Sequence, residues 1–300
     1  MKLLLTGAYK WQEHQLSVFI NAGWELLYIE REDQPFEFDI SDIDAVICNW
    51  LFVNHSIEDF KNLKYIQLLS AGLDRVPLEY IKENNINLFN AHGVYSVPIA
   101  EYVLCGVLQL YKESMKLREN QEAHIWKKSR TIREIFGKRV CLIGAGSVGC
   151  EIAKKFSAFT DEVYGVDLFP TERLFMKEVF PISSINDEIC KSDIVILTLP
   201  LTDETKGMFN IECFNKMKLN SVFVNVARGG LVVEKDLSVA LDTRLLGAVI
   251  DVFEIEPLPE ESDLWNKSNL IISPHNSFVS ENNDLRMWEV IQANMNNCFK

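Results

Sequence analysis

Short apolar runs alternate with longer helical patterns along almost the whole chain. Over the first ninety residues the runs are Leu3–Leu5, Glu25–Ile29, Ala45–Cys48, Tyr65–Leu68 and Asn87–Phe89. Enough chain lies between successive runs for a crossover helix, the signature of a parallel sheet covered on both faces. A long apolar helix is expected from about Val97 to Arg118. The polar segment 119–136 lacks clear periodicity, and Trp126 within it is expected to pack against the body. From Lys138 the alternation restarts, with apolar runs at 140–143, 162–166, 193–199, 221–226, 246–250 and 269–272. That is a second doubly wound α/β unit. A last helix, at about 279–299, follows this second sheet and is expected to return to the first domain.

Three hundred residues suffice for two domains with substantial cores. The formal net charge of −13 repels a polyanion, so nucleic acid is not an expected partner. Part of the acidity lies between Glu30 and Asp44, expected to be a solvated loop and strand edge. The N-terminal Leu3-Leu4-Leu5 is too short for a secretory core of roughly 7–15 apolar residues. No stretch reaches the about 18 apolar residues of a membrane span, so a cytoplasmic location is expected. The seven cysteines are scattered and form no C-x-x-C, which points away from a disulfide framework or zinc site. Cys141 and Cys190 are expected in the core.

The strongest local signal is Gly144-Ala145-Gly146-Ser147-Val148-Gly149. It follows the strand Val140–Ile143 and opens a helix, the context in which G-x-G-x-x-G binds a dinucleotide. Gly144 permits the turn, Gly146 leaves room for the pyrophosphate, and Gly149 allows close helix–strand packing. The phosphates then face the helix N-terminus at Ser147 and Val148. The next strand ends on Asp167, whose carboxylate suits ribose hydroxyls and repels a 2′-phosphate. Leu168-Phe169-Pro170 follow with no Arg or Lys, which favours NAD over NADP.

Later strand ends carry further chemistry. Pro200 lies at one, where Thr202 or Thr205 is placed to hydrogen-bond the cofactor. Ala227-Arg228-Gly229-Gly230 closes the next, and the planar fork of Arg228 suits a carboxylate. The carboxylate-rich turn Asp251-Val252-Phe253-Glu254-Ile255-Glu256-Pro257 follows, and Ser273-Pro274-His275 ends the last strand. Arg, Glu and His in that order form a constellation for reducing a carbonyl. Histidine supplies the proton to the developing alkoxide, and a carboxylate partner stabilises the imidazolium.

At these residues the chain resembles the D-isomer-specific 2-hydroxyacid dehydrogenase family. The resemblance extends to Ser70-Ala71-Gly72-Leu73-Asp74 and to Asn90 with Tyr95–Glu101, and covers nearly the whole chain. It implies an NAD-binding Rossmann domain, here 98–278, inserted into a flavodoxin-like substrate domain, here 1–97 plus 279–300, with the active site in the cleft between them. It implies Arg228 as the carboxylate clamp, His275 as general acid/base and Glu256 as its partner, with Glu254 the fallback. Ser70, Ala71 and Gly72 would hold the substrate carboxylate, and Asp251 the nicotinamide carboxamide. Arg228, Ala227 and His275 would also border the cofactor. The expected partners are a small 2-oxo or D-2-hydroxy acid and a second copy of the chain, as a homodimer. The alternative class is a non-catalytic, NAD-responsive corepressor-like protein, which has no need to keep Arg228, Glu256 and His275 together.

The loop Asn49-Trp50-Leu51-Phe52-Val53-Asn54-His55 leaves a strand of the first domain and is read as a wall of the substrate pocket, with Trp50 in contact. It carries no Lys or Arg. Arg75 is expected at the surface, so an unphosphorylated substrate is expected, glyoxylate- or hydroxypyruvate-like or a short aliphatic 2-oxo acid.

Overall fold

In parallel sheets the inner strands are buried on both faces and therefore read as unbroken apolar runs. The computed structural model, which describes residues 1–299, has two such sheets. The chain divides into two compact units, Met1–Val94 with Glu281 to the end of the described residues, and Tyr95–Ser280.

In the first unit the strands are β1 (Lys2–Thr6), β2 (Glu25–Ile29), β3 (Ala45–Cys48), β4 (Tyr65–Leu68) and β5 (Asn87–Phe89). They pair in the order β2-β1-β3-β4-β5, all parallel, the flavodoxin-like arrangement. Helices α1 (Glu13–Asn21), α2 (Leu51–Asn54) and α3 (Leu78–Glu83) lie between them. The second unit opens with α4 (Ser96–Tyr111) and α5 (Ser114–Glu122). Its strands are β6 (Val140–Ile143), β7 (Val163–Asp167), β8 (Glu178–Pro181), β9 (Ile194–Leu197), β10 (Val222–Asn225), β11 (Gly247–Ile250) and β12 (Leu270–Ile272). The order β12-β11-β10-β9-β6-β7-β8 reverses direction between β6 and β9, the Rossmann switch point where nucleotides bind. Helices α6 (Ser147–Phe156), α7 (Ile185–Ile189), α8 (Ile211–Lys216) and α9 (Glu234–Thr243) complete this unit.

The last helix, α10 (Asn283–Cys298), belongs to the first unit and buries Met287, Trp288, Ile291 and Met295. Trp288 meets Phe19 edge-on with 5.6 Å between ring centroids. The Asn294 side chain donates to buried Gln67 Oε1 at 2.9 Å, so a polar side chain in the inner strand β4 is satisfied by this helix.

Five expectations are corrected. The helix expected over 97–118 is two helices. Glu113 adopts φ 53° between them, and its carboxylate accepts from Ser129 Oγ (2.8 Å) and Thr131 Oγ1. The polar α5 buries no residue, so no apolar stripe compels the helix to run on. Trp126 is fully exposed, not packed. Cys190 is also exposed, its Sγ within 3.1 Å of Asp187 O, whereas Cys141 is buried. Strand β8 has no counterpart among the expected runs, because an edge strand with exposed ends and a terminal proline shows little apolar pattern. The acidic stretch is not uniformly solvated, since Glu32 and Asp44 are 9% and 7% exposed and anchor the chain around them. Among the described residues no helix is long and apolar enough to cross a membrane.

Candidate active site

The glycine-rich turn leaves β6 at the switch point. Gly144 has φ 109°, and a Cβ there would lie 2.8 Å from the Leu199 nitrogen. A Cβ on Gly149 would lie 2.2 Å from Gly144 O, so helix α6 packs as closely as the motif demands. A Cβ on Gly146 would meet nothing within 4 Å. Gly146 is also the N-cap of α6, and its helix N-terminus carries no side-chain cap. An open cradle beside uncapped amides fits a pyrophosphate. Asp167, at the end of β7, closes the turn. Its Oδ2 accepts from Ala145 N–H at 2.7 Å and its Oδ1 from Phe169 N–H at 2.9 Å.

One residue the sequence reading missed sits here. Arg173 folds back from six residues beyond Asp167 and donates from Nε to Ala145 O at 3.0 Å. Contiguity after Asp167 carries no signal for this cation, because the chain between them turns back. Thr205 closes its own turn, donating to Pro200 O (2.9 Å) and accepting from Thr202 N–H (2.8 Å).

Arg228 follows β10 in extended conformation, half-buried, with Nη1 donating to Ala227 O at 2.8 Å. The loop around it is held by buried Asn225, whose side chain donates to Arg228 O (2.9 Å) and accepts from Ala227 N–H (3.1 Å). Gly229 presses against the next strand end: a Cβ there would lie 1.9 Å from the Phe253 carbonyl carbon. Any side chain would push the Arg228 loop off the Asp251–Glu256 turn.

His275 follows β12, and its Nδ1 lies 2.9 Å from Glu256 Oε2. The other Glu256 oxygen accepts from Phe253 N–H at 3.0 Å, which fixes the carboxylate. Of the two candidate carboxylates, Glu256 is the one at the imidazole. Glu254 instead donates its N–H to Glu234 Oε1 at 2.7 Å, and burial pushes the Glu234 carboxyl above its ordinary range. With Nδ1 engaged, Nε2 is the imidazole nitrogen left to face a substrate. Phe278 packs edge-on to the ring at 5.9 Å.

The backbone at His275 has φ 51°, a left-handed conformation that costs energy in a residue with a Cβ. Asp251, 1% exposed, holds it there. Asp251 Oδ1 accepts from Ser273 Oγ, Asn276 N–H (2.7 Å) and Ser277 N–H (3.1 Å), and Oδ2 from Ser277 Oγ (2.5 Å). Its carbonyl accepts from His275 N–H at 2.8 Å. Tyr102 Oη, on α4, lies 2.5 Å from Ser273 Oγ and extends the relay. Burial pushes the Tyr102 phenol above its ordinary value, so it stays a donor. Expected to reach a nicotinamide, the Asp251 carboxylate here anchors the histidine loop.

In the first unit, Ser70–Gly72 follow β4 and Asn49-Trp50 follow the adjacent β3. Ser70 Oγ donates to Gly72 O (3.1 Å) and Asn90 Nδ2 to Ala71 O (2.6 Å), shaping the loop. The Ala71 and Gly72 amides donate to no acceptor among the described residues. Trp50 is 47% exposed. Arg75, expected at the surface, is instead half-buried, with its guanidinium carbon 3.8 Å from the centroid of the Trp50 ring. Its Nη1 donates to Asn49 Oδ1 at 2.5 Å. The loop read as lacking a cation therefore carries one, brought in from another strand end.

A Rossmann unit with a phosphate cradle at its switch point, and with an arginine and a histidine–carboxylate pair at later strand ends, defines a nicotinamide-dependent oxidoreductase. Residues 104–277 match the family described as D-isomer specific 2-hydroxyacid dehydrogenase, NAD binding domain. The chain belongs to this family of NAD-dependent oxidoreductases, which act on 2-hydroxy and 2-oxo acids. It is 31% identical over 233 residues to the (S)-sulfolactate dehydrogenase of Chromohalobacter salexigens, covering 76% of this chain and 75% of that protein. To the hydroxypyruvate reductase of Thermotoga maritima it is 31% identical over 223 residues, 73% of this chain and 72% of that one. Among solved structures, a D-isomer specific 2-hydroxyacid dehydrogenase family protein from Aeromonas salmonicida superposes with a TM-score of 0.80 at 27% identity, over 99% of this chain and 95% of that one.

Proposed function

We propose that the protein reduces a small 2-oxo acid to the D-2-hydroxy acid with NADH. The observation that carries this reading is the His275–Glu256 pair at 2.9 Å, held in register by the Asp251 loop. Gly144–Gly149 and Asp167 would hold the dinucleotide, which when bound supplies the hydride. Arg228 grips the substrate carboxylate and draws electron density from the carbonyl oxygen. His275 Nε2 delivers a proton to that oxygen as its charge develops, and Glu256 stabilises the imidazolium beforehand. Ala71 and Gly72 offer amides to the carboxylate. Asp167 disfavours a 2′-phosphate by charge repulsion, on the order of a 10- to 100-fold preference for NADH over NADPH.

The test is NADH oxidation against glyoxylate, hydroxypyruvate, pyruvate, phenylpyruvate, branched 2-oxo acids and phosphohydroxypyruvate, repeated with His275→Ala. Turnover with at least one acid is expected, with kcat reduced about 10²–10⁴-fold in the variant and NADH affinity nearly intact. Absence of turnover with all of them, or equal kcat in the variant, refutes the reading.

A further inference from the structure

The Trp50 loop is built to hold a guanidinium in place. Buried Glu32 sits beneath it, its Oε1 accepting from Thr6 Oγ1 (2.6 Å) and Asn49 N–H (2.7 Å) and its Oε2 from Trp50 N–H. The Glu32 carbonyl also meets His55 Nε2 at 2.8 Å, so both ends of the loop are tied to one residue. On this fixed backbone the Asn49 side chain holds Arg75 Nη1, and the Trp50 ring lies under the guanidinium plane. The Trp50 ring covers one face of the group, and Asn49 orients its Nη1. Arg75 is therefore positioned before any ligand arrives, which removes much of the entropy cost of ordering a long side chain. The same strand-end edge carries the Ala71 and Gly72 amides, one strand over. Ligands of open parallel sheets bind at these strand ends.

We propose that Arg75, fixed over Trp50, is the specificity-determining residue of the substrate unit, selecting 2-oxo acids whose tail carries a second anionic group (a carboxylate, sulfonate or phosphate). This rests on the 2-oxo acid reduction proposed above and reverses the expectation of an uncharged tail. The Arg75 fork suits an oxyanion, and the Trp50 ring shields one side of the pair from water. An open hollow of about 390 Å³ borders Arg75 and is also lined by Phe52, His55, Glu58, Asp74, Val76 and Tyr80. With two carboxylates so near, recognition depends on the oriented guanidinium and not on a broadly positive field.

The experiment measures kcat/KM in NADH oxidation at fixed ionic strength for short acids that differ in their tails. The probes are 2-oxobutyrate as the neutral reference, oxaloacetate for a carboxylate, 3-sulfopyruvate for a sulfonate and phosphohydroxypyruvate for a phosphate. At least one anionic tail should exceed the neutral one tenfold or more, and the largest ratio identifies the anion. Arg75→Met keeps an apolar stem on Trp50 without the charge. It should lower the anionic-to-neutral ratio about 10- to 100-fold, mainly through KM, the range for losing one charge-assisted hydrogen bond. Arg75→Lys should restore part of the ratio, and Asn49→Ala, which removes one of the groups that orient Arg75, should lower it less. Should Arg75→Met fail to fold, the Lys and Asn49 variants carry the test. A wild-type preference for the neutral tail, or equal losses on every substrate, would mean that Arg75 only braces the loop and overturns the proposal. Failure of the wild type to reduce any 2-oxo acid overturns the underlying reading, and this one with it.

Discussion

Asp251→Ala should damage both stability and catalysis although the side chain it removes is sealed from solvent. Four donors converge on this carboxylate: the Ser273 and Ser277 hydroxyls and the Asn276 and Ser277 backbone amides. The hydroxyls can rotate toward other acceptors, but the amides cannot. The Ser277 amide is fully enclosed and the Asn276 amide partly so. An orphaned buried donor costs about 1–3 kcal/mol, so the pair sets an expected loss of about 2–5 kcal/mol. That is a large share of the roughly 5–15 kcal/mol available to a typical domain. The second effect falls on His275. Its φ of 51° is maintained by the loop's attachment to Asp251, and a freed backbone relaxes toward negative φ, carrying Nε2 off line. A displacement near 1 Å costs on the order of 100-fold in rate. Asp251→Asn should be intermediate, because its amide oxygen still accepts on one side while its NH2 confronts the Ser277 donors on the other. Denaturant unfolding followed by circular dichroism, with steady-state NADH oxidation on the same samples, measures both. Wild-type stability and kcat in Asp251→Ala would refute the anchoring argument. A loss confined to NADH affinity at full stability would return Asp251 to the nicotinamide contact that the family resemblance implies.

Two further outcomes are expected. Glu256→Gln keeps a hydrogen bond to His275 Nδ1 but removes the negative charge 2.9 Å from the ring, so kcat for reduction should fall about tenfold or more with NADH affinity nearly unchanged. Unchanged kcat would remove Glu256 from the proton-delivering pair. Burial alone would raise the Glu188 carboxyl, but Lys191 and Arg139 outweigh it and hold the group below its ordinary 4.5. A lowered folded-state value stabilises above the unfolded one and is lost as pH falls through the folded one. Glu188→Gln, which leaves Arg139 without its charge partner, should therefore cost about 3 kcal/mol at neutral pH, with the gap from wild type closing in acid below 4.5. A gap that persists undiminished in acid would show that packing, not the ion pair, sets the cost.

What the sequence made legible was what repeats or sits in contiguous motifs. Strands β3, β4, β6 and β9–β11 are fully buried, and their hydrophobicity is continuous enough to read directly. Gly144–Gly149, Arg228, Glu256 and His275 announce themselves by position relative to those strands. Less legible were side chains whose role depends on a partner distant in sequence. Arg75 finds Trp50 across 25 positions, and Asp251 finds Ser277 across 26. Charge type alone marked both as solvent-facing or ligand-facing, because burial of a charged group depends on donors that tertiary structure supplies. Trp126 shows the opposite failure, a large apolar residue that this chain leaves wholly in water.

The five-stranded first sheet is finished at Phe89, yet the helix that covers Phe19 and satisfies Gln67 is α10, beginning at Asn283. During synthesis these two parts emerge about 190 residues apart. At about 5–20 residues per second, the first sheet waits roughly 10–40 s with that face uncovered. The intervening Tyr95–Ser280 unit contains its whole sheet and can close meanwhile. The first part of the chain to be made is thus the last to be completed. Its exposed aromatic face is where a nascent chain of this protein should call on a chaperone, and moving α10 ahead of β1 by circular permutation should abolish that dependence.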